Sequence, residues 1–272
     1  MNMKIRKVHF VYFSPTGTTR RVVKMIKESF YIEVLEHDLT NFDYYEKNES
    51  LIFGEDDFVI FAFPVYSNRV PDVFRDRLEK LQGKSSIAAI IATYGKKSFG
   101  NSLVEMRDIA CNAGFQIIGA MTVVAEHSVV CGVATGRPDE EDMKQVKKFG
   151  ETMQQLISEP LDVIRDSKEP ELPGRRPYGP YIDLPVTPYS TKACNGCGAC
   201  VRTCPVGAIT FDDKCHTDKQ KCFGCMRCVR TCPQNARTLG KVFHKMAYLL
   251  LKNLTKENKQ TQVYITCNKE TT

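Results

Sequence analysis

Apolar positions in residues 1–158 fall into two alternating patterns, short continuous runs and runs at helical spacing. VHFVYFS (8–14), YIEVLEHDL (31–39), DFVIFAFP (57–64), SIAAIIAT (86–93) and FQIIGAMTVV (115–124) predict five strands, most of them apolar throughout. Between them, Val22, Met25, Ile26 and Phe30 mark one helix face. Val70, Phe74, Leu78 and Leu81 mark a second, and Leu103, Met106, Ala110 and Ala113 a third. A fourth helix follows the acidic turn Pro138 to Asp142, with Met143, Val146, Phe149, Met153 and Leu156 inward. Strands buried on both faces and separated by amphipathic helices predict a doubly wound α/β domain around a five-stranded parallel sheet. Right-handed crossovers are expected.

The pattern breaks at residue 159. Seven of the chain's 13 prolines lie between Pro160 and Pro188, so residues 159–188 are expected to form a stiff linker without regular helix. Arg175, Arg176 and Tyr178 within it either are plain linker or pack the domains together. Residues 189–240 then form a small second domain with an internal repeat. CNGCGACVRTCPVGA (194–208) aligns with CFGCMRCVRTCPQNA (222–236) at an offset of 28. Residues 241–272 are a helix and tail. Phe243, Met246, Ala247, Leu250 and Leu254 share a stripe, expected to dock on the protein itself, although the lysines also suit a membrane surface. The closing VYITC patch predicts nothing definite.

Composition sharpens this picture at the cysteines. There are 12, and eight lie between Cys194 and Cys232. A secreted disulfide scaffold would be small and would lack the large cysteine-poor domain ahead of them, so clustered thiols read as metal ligands. No apolar run approaches the ~20 residues of a membrane span, and the amino terminus lacks a signal-peptide core. A cytoplasmic location without membrane association is therefore expected. The net charge of +6 is uneven. Residues 1–160 hold 20 Lys and Arg against 22 Asp and Glu, and residues 161–272 hold 18 against 10. These cations either balance anionic metal clusters or dock an acidic redox partner protein. They form no long stripe, so nucleic-acid binding is not expected.

Each half of the repeat reads C-x2-C-x2-C-x3-C-P, the spacing of bacterial two-cluster ferredoxins. Three thiolates on a tight turn reach three irons of one cube, and the fourth iron needs a ligand from elsewhere. The expected sets are therefore crossed. Cys194, Cys197, Cys200 and Cys232 would hold one [4Fe–4S] cluster, and Cys222, Cys225, Cys228 and Cys204 the other. Zinc is the alternative, but its sites pair two C-x2-C units and have no use for two triplets. Cys215 falls outside both patterns and reads as structural, Cys111 reads as core, and Cys131 is ambiguous.

Strand one ends in Ser14-Pro15-Thr16-Gly17-Thr18-Thr19 before a helix. That is either an N-cap turn or an anion site made by free amides and the helix dipole. The loop has neither a triphosphate-loop lysine nor a G-x-G-x-x-G fingerprint. Strands three and four end in PVYSNRVP and TYGKKSFGN, at the edge where parallel sheets bind ligands. With these three loops, residues 7–157 resemble the flavodoxin family. The resemblance implies that Ser14, Thr16, Gly17, Thr18 and Thr19 hold the phosphate of FMN. It implies that Pro64, Val65, Tyr66, Ser67 and Asn68, with Thr93, Tyr94, Gly95, Phe99, Gly100 and Asn101, enclose its ring. Arg69, Lys96 and Lys97 replace the acidic surroundings of the carrier flavodoxins, which implies a less negative flavin potential. The whole chain resembles the flavodoxin–ferredoxin fusion proteins of anaerobes. Three functions follow as expectations. The first is electron transfer between one-electron clusters and a one- or two-electron flavin, with no catalytic residue. The second is an iron–sulfur flavoprotein oxidoreductase that reduces a quinone, a nitro compound or a similar small substrate. The third is a redox sensor, for which no DNA-reading element is present.

Overall fold

In the computed structural model, residues 4–42, 50–130, 132–182, 186–255 and 259–266 are described. The expected alternation is present. Strands β1 (Lys7–Tyr12), β2 (Glu33–Asp38), β4 (Asp57–Pro64), β6 (Ser86–Tyr94) and β7 (Phe115–Val124) pair in parallel, in the order β2-β1-β4-β6-β7. Counting those five alone, the order is 2-1-3-4-5, the flavodoxin-like arrangement of doubly wound sheets. Two short strands, β3 (Leu51–Phe53) and β5 (Leu81–Gly83), form a separate parallel pair.

The pleat divides the strand residues between two cores. Val8, Phe10 and Tyr12 of β1 face α1 (Thr18–Lys27), which contributes Val22, Val23 and Ile26. Val11, with Phe13 just beyond β1, faces Phe74 of α2 (Asp72–Leu78) and Leu103, Met106 and Ala110 of α3 (Ser102–Asn112). The helix α4 (Glu140–Leu156) joins the first core through Val146, Phe149 and Met153. Its Asp139 caps the Asp142 amide while Asp142 returns the bond, so the acidic turn works as a reciprocal cap.

Two expectations change, and one left open is resolved. The sheet has six strands, because β12 (Gln262–Ile265) from the tail adds antiparallel to the outer edge of β7. The proline-rich stretch contains one short helix, α5 (Leu161–Asp166), which starts directly after Pro160 and buries Leu161 and Ile164. No proline interrupts positions 161–169, so the turn can close. The rest of the linker is a strap. Arg176 forms a forked pair with Asp108, the Tyr178 hydroxyl donates to the same carboxylate, and the Arg175 amide donates to Asn101 at 2.9 Å.

The second unit is built on two antiparallel pairs, β9 (Ile209–Phe211) with β10 (Cys215–Thr217) and β8 (Tyr189–Ser190) with β11 (Arg237–Thr238). Two single-turn helices, α6 (Ala199–Thr203) and α7 (Arg227–Arg230), carry the cysteines. The last helix, α8 (Lys241–Leu254), divides the stripe read from its sequence. Phe243 and Ala247 are half-buried, whereas Met246 and Leu250 face solvent together with Val242 and Leu249. The Leu254 side chain and Cys131 lie outside the described residues. No described helix is long and apolar enough to cross a membrane.

Candidate functional site

A cleft of about 890 Å³ opens at the carboxyl ends of β1, β4, β6 and β7. One wall is the Ser14–Thr19 turn. Gly17 caps α1 with φ +89°, a conformation that side chains rarely adopt. The first turn of α1 leaves the Thr18 and Thr19 amides without intrahelical acceptors. Several hydroxyls of the turn are already engaged. Ser14 Oγ accepts from the Arg20 amide at 2.9 Å, and Thr19 Oγ1 bonds Thr93 Oγ1 at 2.8 Å. Those bonds brace the turn against the neighbouring loops, and Ser14, Thr16, Thr18 and Thr19 line the cleft.

Pro64, Val65, Tyr66 and Ser67, with Thr93, Tyr94 and Gly95, complete the expected part of the lining. Burial pushes the Tyr66 phenol far above its ordinary value and that of Tyr94 up to about 12, so both stay neutral. Gly17, Asn68, Phe99, Gly100 and Asn101 lie outside the lining. Asn68 accepts from the Asn101 amide at 2.9 Å, Phe99 packs edge-on against Tyr94, and the Asn101 side chain holds the linker. Nor does Arg69 bring charge to the cleft. It is forked onto Glu105 at 2.6 Å, donates to the Gly179 carbonyl and lies over the Tyr178 ring. Neither Lys96 nor Lys97 lines the cleft.

Besides Pro15, ten lining residues escaped sequence reasoning. Ala125, Glu126, His127, Ser128 and Val129 follow β7. The rule that ligands bind beyond strand carboxyl ends applies to this fifth loop as it did to the third and fourth. His127 accepts from the Val129 and Val130 amides through Nδ1, at 3.2 and 3.1 Å, so its proton sits on Nε2. Burial, with Lys97 adding to it, lowers its pKa to about 4. Gly95 makes this placement possible, since a Cβ there would stand 2.7 Å from His127 Cδ2. The other five are Tyr181, Ile182 and Val186 from the linker and Phe223 and Gly224 from the second unit. No local motif marks them, because they reach the cleft only through docking of the two units.

A second cavity, of about 330 Å³, is lined by Cys204, Cys222, Cys225 and Cys228, with Phe223, Met226 and Arg227. Burial raises the thiols of Cys222, Cys225 and Cys228, whose protons must leave when metal binds. Amides already point at sulfur in both repeats. Ala208 donates to Cys204 Sγ and Ala236 to Cys232 Sγ, each at 3.2 Å. A tetrahedral zinc with bonds of about 2.3 Å would bring its sulfurs within about 4 Å of one another. Among the described residues, only the exposed trio Asp212, Asp213 and His216 gathers its ligand atoms within 4.8 Å. No trio of cysteine sulfurs among the described residues is gathered that closely. Cys215 is buried against Cys200 and Cys228 on β10, and Cys111 is half-buried with Sγ 4.0 Å from Glu169.

Residues 193–236 match the family model described as a 4Fe-4S dicluster domain. No curated protein matches the chain. The similar solved structures that follow each cover a little over half of this chain. A flavodoxin of Fusobacterium nucleatum bound to flavin mononucleotide is 13% identical, covers 56% of this chain and 98% of its own, and has a TM-score of 0.39. A short-chain flavodoxin associated with a non-canonical PDU bacterial microcompartment is 19% identical over 57% and 100%, with a TM-score of 0.39. A Streptococcus pneumonia TIGR4 flavodoxin is 15% identical over 53% and 95%, with a TM-score of 0.37. The strand order and the position of the cleft carry the fold assignment of the first unit. The chain joins a flavodoxin-like α/β fold to a 4Fe–4S dicluster domain.

Proposed function

We propose that this protein transfers electrons between two [4Fe–4S] clusters and one FMN held in a single chain, in the cytoplasm and with redox partner proteins at its surface. One observation carries the reading: Phe223 lines both cavities. It stands between Cys222 and Cys225, and its ring lies 6.2 Å from Phe13 and 6.3 Å from Tyr66. Phe223 thus borders both the cysteine-lined cavity and the cleft.

The residues fit both groups. The amides of Thr18 and Thr19 would receive a phosphate, with the hydroxyls of Thr16 and Thr18 beside them. Tyr66 and Tyr94 offer flat neutral faces to a ring, and His127 offers an Nε2 proton. Tyr181, Ile182 and Phe223 exclude water from the side facing the second unit. The crossed cysteine sets would hold the clusters, the second triplet with Cys204 in the observed cavity and the first with Cys232. When bound, the flavin exchanges one or two electrons and each cluster exchanges one.

Anaerobic purification with iron, sulfide and flavin assays tests the content. Two four-iron cubes and one flavin site predict roughly eight iron and one FMN per chain. Flash reduction followed at several protein concentrations then tests the transfer. Exchange between clusters and flavin should keep the same rate on dilution. Zinc in place of iron, or a rate that falls with dilution, would overturn the reading.

A further inference from the structure

The two halves of the cysteine repeat differ where charge matters most. At the offset of 28 residues, Arg227 stands where the first half has Ala199, and Arg237 stands where it has Ile209. Arg237 is 2% exposed. Its guanidinium donates to the Pro188 carbonyl at 2.7 Å, the Cys215 carbonyl at 3.1 Å, Ser190 Oγ at 3.0 Å and the Thr217 hydroxyl, and Nη2 lies 3.9 Å from Cys228 Sγ. None of these partners is a carboxylate. Its Nε is buried with no acceptor among the described residues. Arg227 lines the second cavity, donates Nη1 to the carbonyls of Ser14 and Pro15, and also leaves a buried Nε without an acceptor. A guanidinium keeps its charge at any working pH, and a buried cation is costly unless an anion answers it. The cavity framed by four cysteines, which Arg227 lines and Arg237 approaches through Cys228, is where that anion belongs.

We infer that Arg227 and Arg237 rank the two clusters, making the one held by Cys204, Cys222, Cys225 and Cys228 the easier to reduce. The inference rests on the function proposed above. Reducing a cluster adds one electron and breaks no bond, taking its total with thiolates from about −2 to −3. A fixed cation therefore stabilises the reduced form more, and a hydrogen bond to a ligand sulfur acts in the same direction. The opposing charge is Asp218, which acts on Cys222 but lies near the surface with its carboxylate 4.0 Å from Lys221. Arg202 of the first half donates to the Cys197 carbonyl at 3.1 Å, and its counterpart Arg230 lies 3.9 Å from Glu126, but both are exposed, so water screens them far more than the guanidinia of Arg227 and Arg237. The favoured cluster is the one beside Phe223. Electrons that enter at the first triplet, where Cys197 is exposed, would then run downhill toward the cleft.

Redox titration of the anaerobic holoprotein with dithionite, followed by electron paramagnetic resonance, tests the ranking. The wild-type protein should show two potentials at least about 59 mV apart, a tenfold difference in the equilibrium constant of a one-electron couple. The cluster that survives in Cys232→Ala should titrate at the higher value, and the one that survives in Cys204→Ala at the lower. Arg237→Gln should lower the higher potential by about tenfold in that constant and leave the other unchanged, whereas Arg237→Lys should retain most of it. If Arg237→Gln loses iron, the order in the two cysteine variants decides. Equal potentials, the reverse order, or a shift of both clusters together would overturn the ranking. Iron well below eight per chain in the wild-type protein would instead overturn the parent reading.

Discussion

His127 shows how a residue without a motif becomes part of a site through its surroundings. Its ring is neutral because burial lowers its pKa from 6.5 to about 4. The unfolded chain takes up this proton near pH 6.5, but the folded chain resists until about pH 4. Folding stability from this group is therefore complete above pH 6.5 and is lost as pH falls to 4, by roughly 3 kcal/mol in total. His37, lowered to about 4 by burial and by His9, adds a loss of the same sign. Replacing His127 by Gln should flatten the pH dependence of stability between 6.5 and 4 and leave the share from His37. Urea titrations of the apoprotein at several pH values read this directly, and an unchanged slope would remove His127 from the account. At this scale, residues with chemical motifs were legible. Four of the eight cysteines line one cavity, and the Ser14–Thr19 turn, Gly17 apart, lines the cleft. By contrast, Met226 takes φ +64° where the first repeat has Gly198, and its buried side chain replaces freedom with packing.

Among elements, continuous apolar strands were easiest to read, because a parallel sheet buries both of their faces. The strand β12 was not legible. It is four residues long, lies in a polar tail, and exists because β7 offers an unpaired edge well over a hundred residues earlier in the chain. Ending the chain at Thr255 should expose that edge. The truncated protein should aggregate at concentrations where the full chain stays monodisperse by light scattering. The strap depends on a different device. The Arg69–Glu105 pair is almost fully buried, and Glu105 also accepts from the Val70 amide at 2.9 Å. Arg69 in turn fixes Gly179 and Tyr178, which approach the cleft beside Tyr181. Glu105→Gln would leave a buried guanidinium without its counter-charge and should cost about 3 kcal/mol of stability by chemical denaturation. Sequence placed Arg69 beside the flavin because it follows a loop of the cleft. Its actual partner lies 36 positions onward, and no local pattern reveals it.

For the whole molecule, two arginines tie the units together from opposite directions. Arg227 of the second unit donates to the Ser14 and Pro15 carbonyls in the turn of the first. Arg77 of the first unit, 3% exposed, donates to the Leu39 carbonyl and across to the Pro205 carbonyl next to Cys204. A charged donor between two carbonyls is worth about 1.5–3 kcal/mol for each bond, and removing it leaves both acceptors buried and unpaired. The cysteine-bearing loop is thus held in part by a helix of the other unit. The intact protein should therefore unfold in one transition, with bleaching of the iron–sulfur absorbance and loss of far-ultraviolet circular dichroism at the same temperature. Arg77→Met keeps the length and apolar stem of the side chain but removes both bonds. It should separate the two signals, so that bleaching comes several degrees before the loss of secondary structure, while the spectrum at 25 °C is unchanged. Coincident transitions in the variant would show that Phe223 and Arg227 suffice to couple the units. The cross-unit bond from Arg77 would then contribute to local packing alone.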